Sequence, residues 1–258
     1  MLMNDTNKFE MVAKTFYGLE NVLASELEEL GAENIEIESR AVKYKGDKDL
    51  LYKTNFALRT AIKILKPVLK FSAKNEVELY KSVDNIDWTH YLSRGDTLII
   101  DSVINSEYFN HSQFVSQKIK DSIVDQLRKK TGRRPSVDTQ DPTLRLNFHV
   151  NDDNCSLALD SSGESLHKRG YRIDGHVAPL NEVLAAGMIL LTGWNGNSDF
   201  YDLMCGSGTI LIEAAMIAYN IKPGVFSLNY AFEKWKDFDM DLFESIYFFR
   251  SRYRKELN

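Results

Sequence analysis

Cysteine, proline and long apolar runs are all scarce in these 258 residues. The two cysteines, Cys155 and Cys205, form no CxxC pair and have no histidine at metal-ligand spacing. A disulfide framework is excluded and no metal site is expected, so the thiols are read as free in a reducing cytoplasm. No apolar run approaches the roughly 18 residues of a membrane-spanning helix. The first ten residues lack the basic start and apolar stretch of a signal peptide. The chain is therefore expected to be cytoplasmic, with no membrane partner. Five prolines and 14 glycines, beside 43% hydrophobic and 27% charged residues, rule out collagen-like and low-complexity classes. A basic excess is missing as well: 32 Lys and Arg face 37 Asp and Glu. That excludes a uniformly basic nucleic-acid coat but leaves room for a local basic face.

What is present is organised in three stretches. The first reads strand, helix, strand, strand, helix, strand. Phe9 to Thr15 is a strand, and Val22, Leu23, Leu27 and Leu30 recur at helical spacing before Gly31 stops them. Ile35, Ile37, Val42 and Tyr44 alternate as strands do. Leu50, Leu51, Thr54 and Leu58 mark a second helix, and Ile62 to Phe71 a last strand. The order βαββαβ is that of a ferredoxin-like split βαβ. From 72 to 165 helix and strand mix. Leu98 to Ile104 is a strand. Val115, Ile119, Ile123 and Leu127 form the apolar stripe of a helix, with Asn110 and Gln113 as its capping box and Gly132 and Pro135 as its stop. Leu144 to Val150 and Cys155 to Asp160 pair across a polar turn. In the third stretch Pro179 suits the first turn of a helix running to Leu191. Phe200 to Leu203 is a short strand, a helix runs on to Ile217, and the last twenty residues are helical. The fold class is α+β in the N-terminal half, followed by the start of an α/β Rossmann-like domain.

The sharpest motif is Asp202-Leu-Met-Cys-Gly-Ser-Gly-Thr209, a strand entering a glycine turn that opens a helix. Glycines let backbone approach a ligand, and a helix start offers free N–H groups. The third position after Gly208 is Leu211, so GxGxxG is not completed and a dinucleotide site is disfavoured. No Gly-Lys-Ser/Thr follows, which disfavours a nucleoside triphosphate. Cys205 reads as a small turn residue, since no nearby His or Lys would lower its pKa.

Charge is uneven. Residues 113–145 hold 8 bases against 4 acids, whereas residues 1–50 hold 11 acids against 6 bases. Lys118 and Lys120 lie on the striped helix, and Arg128, Lys129, Lys130, Arg133 and Arg134 cluster at its C-terminal end. His167, Lys168, Arg169, Tyr171 and Arg172 follow in the next linker. Cations at a helix C-terminus also suit its dipole. The functional reading is contact with nucleic-acid phosphates, which positions the nucleic acid without reading its sequence. His149 reads as a structural residue of its strand.

The glycine motif, continued by Ile-Leu-Ile-Glu-Ala-Ala over 210–215, resembles motif I of class I S-adenosylmethionine-dependent RNA methyltransferases. Ser165-Leu-His-Lys-Arg-Gly-Tyr-Arg172, Ala178-Pro-Leu-Asn-Glu-Val183 and Ala185-Ala186 resemble the linker and leading helix of the branch that carries a THUMP domain. The likeness is greatest to the bacterial family that methylates guanine N2 of large-subunit ribosomal RNA. The resemblance implies a ferredoxin-like domain over 1–71, a THUMP RNA-binding domain over 72–165, and an incomplete methyltransferase domain over 166–258. It implies S-adenosylmethionine as cofactor, with Asp202, Cys205, Gly206, Ser207, Gly208 and Thr209 around its methionine end. Pro179, Leu180, Asn181 and Glu182 would open the helix that closes over it. The implied partner is structured RNA, 23S ribosomal RNA first and tRNA as an alternative.

One departure matters. The family holds its target amine in an Asn-Pro-Pro-aromatic loop, and no Asn-Pro pair occurs here. Only 56 residues follow Asp202. No catalytic residue is therefore assigned. The expectation is a methyltransferase domain begun but not finished, to be completed by a downstream polypeptide, with residues from about 175 onward marginally packed. A catalytically inactive RNA-binding module is the alternative.

Overall fold

The computed structural model describes residues 8–132, 134–172, 179–227 and 229–246. They pack as two compact units. The first takes residues up to Ile64, then Glu164–Tyr230, then Asp239 onward; the second takes Leu65–Gly163 with Ala231–Phe238.

In the first unit come β1 (Phe9–Lys14), α1 (Glu20–Glu29), β2 (Glu33–Glu38), β3 (Ala41–Gly46) and α2 (Lys48–Ala57). With β4 (Lys63–Ser72) next, the expected βαββαβ order holds along the chain. β3 pairs antiparallel with β1 on one side and β2 on the other. Met11, Ala13, Val42 and Tyr44 bury one face, with Leu23 and Leu27 of α1 also in the core. β2 exposes Glu33, Glu36 and Glu38, charges that discourage further pairing at its free side. Asp47 caps α2 by accepting from the Leu50 N–H, and the Tyr44 hydroxyl reaches Thr54 at 3.0 Å.

Two later helices complete this unit: α5 (Glu182–Leu191) and α6 (Thr209–Ala218). Val183, Ala185, Ala186, Ile189, Ala214 and Met216 are buried. A Cβ at Gly187 would lie 2.4 Å from Leu19, so only glycine admits that contact. The described residues from 179 onward are packed unevenly: α5 and α6 share the first unit's core, while Leu191, Leu203 and Met204 stay more than half exposed. Two expectations change. α5 starts at Asn181, whose side chain accepts from the Val183 and Leu184 N–H groups, and Pro179 lies exposed ahead of it. A side-chain cap outweighed proline's preset φ. Residues 200–203 form no strand, and among the described residues none lies alongside to supply a ladder. Leu203 and Met204 are consequently 94% and 93% exposed. Of the final stretch, 240–246 is helical, with Phe243 edge-on to Tyr52.

The second unit adds α3 (Glu76–Asp84), β5 (Thr97–Asn105), α4 (Ser112–Thr131), β6 (Ser136–Val137), β7 (Leu144–Asn151) and β8 (Asn154–Asp160). Its strands run β4–β8–β7–β5–β6, antiparallel from β4 to β7 and parallel from β7 to β6. Pro67, which lacks an N–H, sits at a register shift in β4. The stripe Val115, Ile119, Ile123 and Leu127 of α4 is buried as expected, and Gly132 closes the helix at φ 74°. The expected capping box is absent: His111 is the cap residue and makes no side-chain bond. α3 went unread, although Asn75 with Glu78 three residues on is a cap signal; Asn75 accepts from the Val77 and Glu78 N–H groups. Residues 231–238 return as a strap. The Phe232 N–H donates to the Ser161 carbonyl, and Lys236 reaches the Thr89 carbonyl at 2.7 Å. No helix among the described residues is long and apolar enough to cross a membrane.

The two thiols separate chemically. Cys155 is buried in β8, and burial pushes its thiol up to about 11. Cys205 is exposed. At pH 8 only about a thousandth of Cys155 is thiolate, against roughly a quarter for an ordinary thiol. Iodoacetamide at pH 8 should label Cys205 and spare Cys155 until the protein is unfolded, as read by peptide mass spectrometry. Equal labelling of both in the native protein would contradict the fold of β8.

Candidate functional site

The turn between residue 202 and α6 is built by two left-handed glycines, Gly206 at φ 52° and Gly208 at φ 75°. L side chains rarely adopt such values. A Cβ on Gly208 would meet nothing within 4 Å, so the space beyond the turn is open. The Gly208 N–H closes the turn on the Cys205 carbonyl at 2.8 Å. No side chain caps α6. The first N–H groups of that helix therefore have no intrahelical acceptor and present donors. Asp202 supplies the opposite polarity. Its Oδ1 accepts from the Met204 N–H at 3.1 Å, while its Oδ2 is buried with no partner among the described residues. Buried carboxylate oxygens are costly when unmatched. A ligand with an amino and a carboxylate group would satisfy both features. Of the other residues expected here, Ser207 and Thr209 have hydroxyls 3.1 Å apart, Thr209 is buried, and Cys205 is exposed.

The start of α5 is brought to this turn by Arg172. Its Nη2 donates to the Leu180 carbonyl at 2.7 Å and to Thr209 Oγ1 at 2.8 Å, and its Nη1 lies 3.3 Å from the buried Glu182 carboxylate. Arg172 was expected to face RNA. Its guanidinium is instead turned inward, because three acceptors converge on it.

Arg169 is a larger correction. It is 1% exposed and cannot meet a phosphate. Its Nη1 donates to the Leu166 carbonyl, its Nη2 to the Arg59 carbonyl, and its Nε lies 3.5 Å from Glu213, which is 0% exposed. Burial pushes the Glu213 carboxyl above its usual range, against the pull of Arg169, the Tyr171 hydroxyl and Arg59. Tyr171, expected to stack on a base, donates its hydroxyl to Glu213 at 3.1 Å and packs edge-on to Phe226. Burial and then the charge of Glu213 raise that phenol. Arg59 itself reaches the Met216 carbonyl. Glu26 of α1 braces this stretch by accepting from the Arg59 and Thr60 N–H groups. Spacing could not distinguish these inward cations from outward ones.

His167 is half-buried, with Nδ1 2.7 Å from the Ser165 hydroxyl. Burial holds its imidazole below the usual value, Lys168, Arg169 and Arg172 push the same way, and Glu182 opposes. It is therefore neutral near pH 7. Lys168 is exposed beside Glu164.

In the second unit Arg128, Lys129, Lys130 and Arg134 are exposed at and beyond the C-terminal end of α4. Arg133 lies outside the described residues. Lys130 pairs with Asp87 at 2.9 Å, Lys118 with Glu76 at 3.2 Å, and Lys120 lies 3.9 Å from Asp121. Such surface pairs are weak, so these cations stay available to a stronger anion.

Family models match three successive stretches: an RlmL ferredoxin-like domain over 10–65, a THUMP domain over 73–160, and an RMKL-like methyltransferase domain over 169–256. A Synechocystis protein that carries the name of an RNA methyltransferase is 41% identical over 249 residues, covering 95% of this chain and 65% of that protein. The ribosomal RNA large subunit methyltransferase K/L of Photobacterium profundum is 38% identical, over 92% of this chain and 33% of that protein. The crystal structure of SMU.472, described as a methyltransferase complexed with SAH, superposes with a TM-score of 0.83 at 32% identity, over 95% of this chain and 65% of that one. The chain thus spans less than two thirds of the length of these relatives.

Removing one partner of a buried ion pair leaves the other charge stranded, at a cost of about 3–5 kcal/mol. Glu213→Ala and Arg169→Met should each lower stability by about that much in urea titration, with the affinity of Arg169→Met for RNA unchanged. A loss below about 1 kcal/mol combined with weakened RNA binding would return Arg169 to the surface role.

Proposed function

We propose that the chain is part of a THUMP-domain methyltransferase, that it grips structured RNA and that it holds S-adenosylmethionine for methyl transfer to guanine N2 of 23S ribosomal RNA. One observation carries the cofactor part: the unpartnered Asp202 Oδ2 beside a glycine turn that opens an uncapped helix. The residues fit the group. Asp202 accepts from the amino group of the methionine end, and the uncapped N–H groups at the start of α6 are donors for its carboxylate, an interaction stronger than between neutral partners. Gly206 and Gly208 keep the backbone low enough for close approach, and Cys205 fills the turn without reacting. Pro179, Leu180, Asn181 and Glu182 border the site where α5 begins. When bound, S-adenosylmethionine supplies an electrophilic methyl group on a sulfonium. No catalytic side chain is assigned in this chain.

The RNA part rests on residues 72–165 as the THUMP domain, between a ferredoxin-like domain over 1–71 and a methyltransferase domain over 166–258. Lys118, Lys120, Arg128, Lys129, Lys130, Arg134 and Lys168 form the phosphate-contacting set. Leu203 and Met204, 94% and 93% exposed, offer apolar surface that neighbouring parallel strands of a methyltransferase sheet would cover. The compartment is the cytoplasm, where ribosomal RNA is modified.

Isothermal titration of the chain with S-adenosylhomocysteine tests the cofactor reading. Binding is expected, and Asp202→Asn should weaken it by about 10-fold or more, because a charge-assisted bond is worth roughly 1.5–3 kcal/mol. No binding, with RNA affinity intact, would favour an RNA-binding module without catalysis. For RNA, each alanine at Arg128, Lys129, Lys130 or Arg134 should flatten the slope of log affinity against log salt by about 0.7–0.9. Comparison of a 23S ribosomal RNA fragment with tRNA decides the substrate. Unaltered slopes in all four variants would remove this face from RNA contact.

A further inference from the structure

Arg172 stands where two helix starts meet, and its bonds have a direction. A guanidinium can only donate. Its Nη2 donates to Thr209 Oγ1 at 2.8 Å, and the Thr209 hydroxyl lies 3.1 Å from that of Ser207. A hydroxyl oxygen that accepts from a cation becomes a better donor and a poorer acceptor. The Thr209 proton is therefore directed to Ser207 Oγ. Ser207, accepting there, keeps its own proton free for an acceptor other than Thr209. Resting on the cofactor reading above, we propose that Arg172 is a positioning residue that acts through Thr209 to aim the Ser207 hydroxyl as a donor at the carboxylate of the cofactor's methionine end.

Three features support a built relay over a chance contact. Thr209 is 3% exposed, so its hydroxyl needs partners inside the protein. Glu182, also buried, balances the guanidinium at 3.3 Å and keeps Arg172 from collapsing onto an incoming carboxylate. The Leu180 carbonyl shares Nη2, which fixes the guanidinium plane relative to the turn. Arg172 thus selects for an anionic ligand group without touching it. The nucleoside end of the ligand does not feel the relay.

A double-mutant cycle tests the proposal by isothermal titration of the full chain with S-adenosylhomocysteine. Ser207→Ala and Arg172→Met should each weaken binding by about 10–150-fold, the worth of one hydrogen bond to a charged group. The double variant should be no weaker than the worse single one, because both break the same relay. Thr209→Val breaks the middle link while leaving the Arg172–Glu182 pair in place, and it should match Ser207→Ala even if Arg172→Met folds poorly. Arg172→Lys cannot hold all three acceptors and should recover only part of the loss. 5′-Methylthioadenosine, which has the nucleoside but no amino-acid end, should lose no more than about 2-fold in any variant. Multiplying losses in the double variant, or tight binding by Thr209→Val, would overturn the relay while leaving the cofactor reading standing. Failure of the unaltered chain to bind S-adenosylhomocysteine would instead sink the cofactor reading, and the relay with it.

Discussion

A guanidinium and a carboxylate held out of water together are the constraint on which the first unit depends. Neither Arg169 nor Glu213 is tolerable there alone. Arg169 also donates to the carbonyls of Leu166 and Arg59, so residues 59, 166, 169 and 213 are held as one cluster. The knot ties α6 to a loop that Glu26 of α1 holds from the other side. Once Arg169 is turned inward, Tyr171 reaches Glu213 and Arg172 reaches the starts of α5 and α6. The linker is thereby converted from a tether into part of the wall behind the glycine turn.

That wall explains how a turn with little regular structure before it can still be shaped. Residues 200–203 gain nothing from a sheet, yet Gly206 and Gly208 are held in left-handed conformations by the closing bond to Cys205 and by α6 behind them. α6 in turn is set against α5, whose Gly187 admits Leu19. Preorganisation of donors and of an unmatched acceptor is what a polar ligand requires, since it avoids ordering these groups at the moment of binding. The apolar side chains of both helices exceed what the first unit covers: Met188, Leu191, Leu211 and Ile212 remain exposed.

The second unit follows a different logic. Its core is the stripe of α4 against the sheet, fastened by Gln126, which accepts from the Trp88 N–H and donates to the Asp84 and Ile86 carbonyls. With those groups matched inside, the cations of α4 are left at the surface. Surface charge attracts polyanions over about a Debye length without demanding fixed geometry. The first unit thus uses Arg59, Arg169 and Arg172 as internal struts, whereas the end of α4 displays Arg128, Lys129 and Lys130.

Much of the fold was legible because periodicity is a local property. The strands and helices of the first seventy residues, the α4 stripe and the β7–β8 hairpin each announce themselves within a few residues. The glycine turn was legible for the same reason: Gly206, Gly208 and the helix after them are neighbours in the chain. The Asn75 and Asn181 caps are equally local signals, each an asparagine two to three residues before the backbone N–H groups it accepts from. Partnership over distance was not legible. Nothing near Arg169 or Arg172 marks them as inward, and Phe200 to Leu203 looks like any strand. The sequence alone determined which elements form and where a ligand turn lies, since both depend on adjacent residues. Only tertiary structure decided which cations are buried and which strand lacks a ladder, because burial depends on distant partners such as the Arg59 carbonyl and the Glu213 carboxylate that meet Arg169.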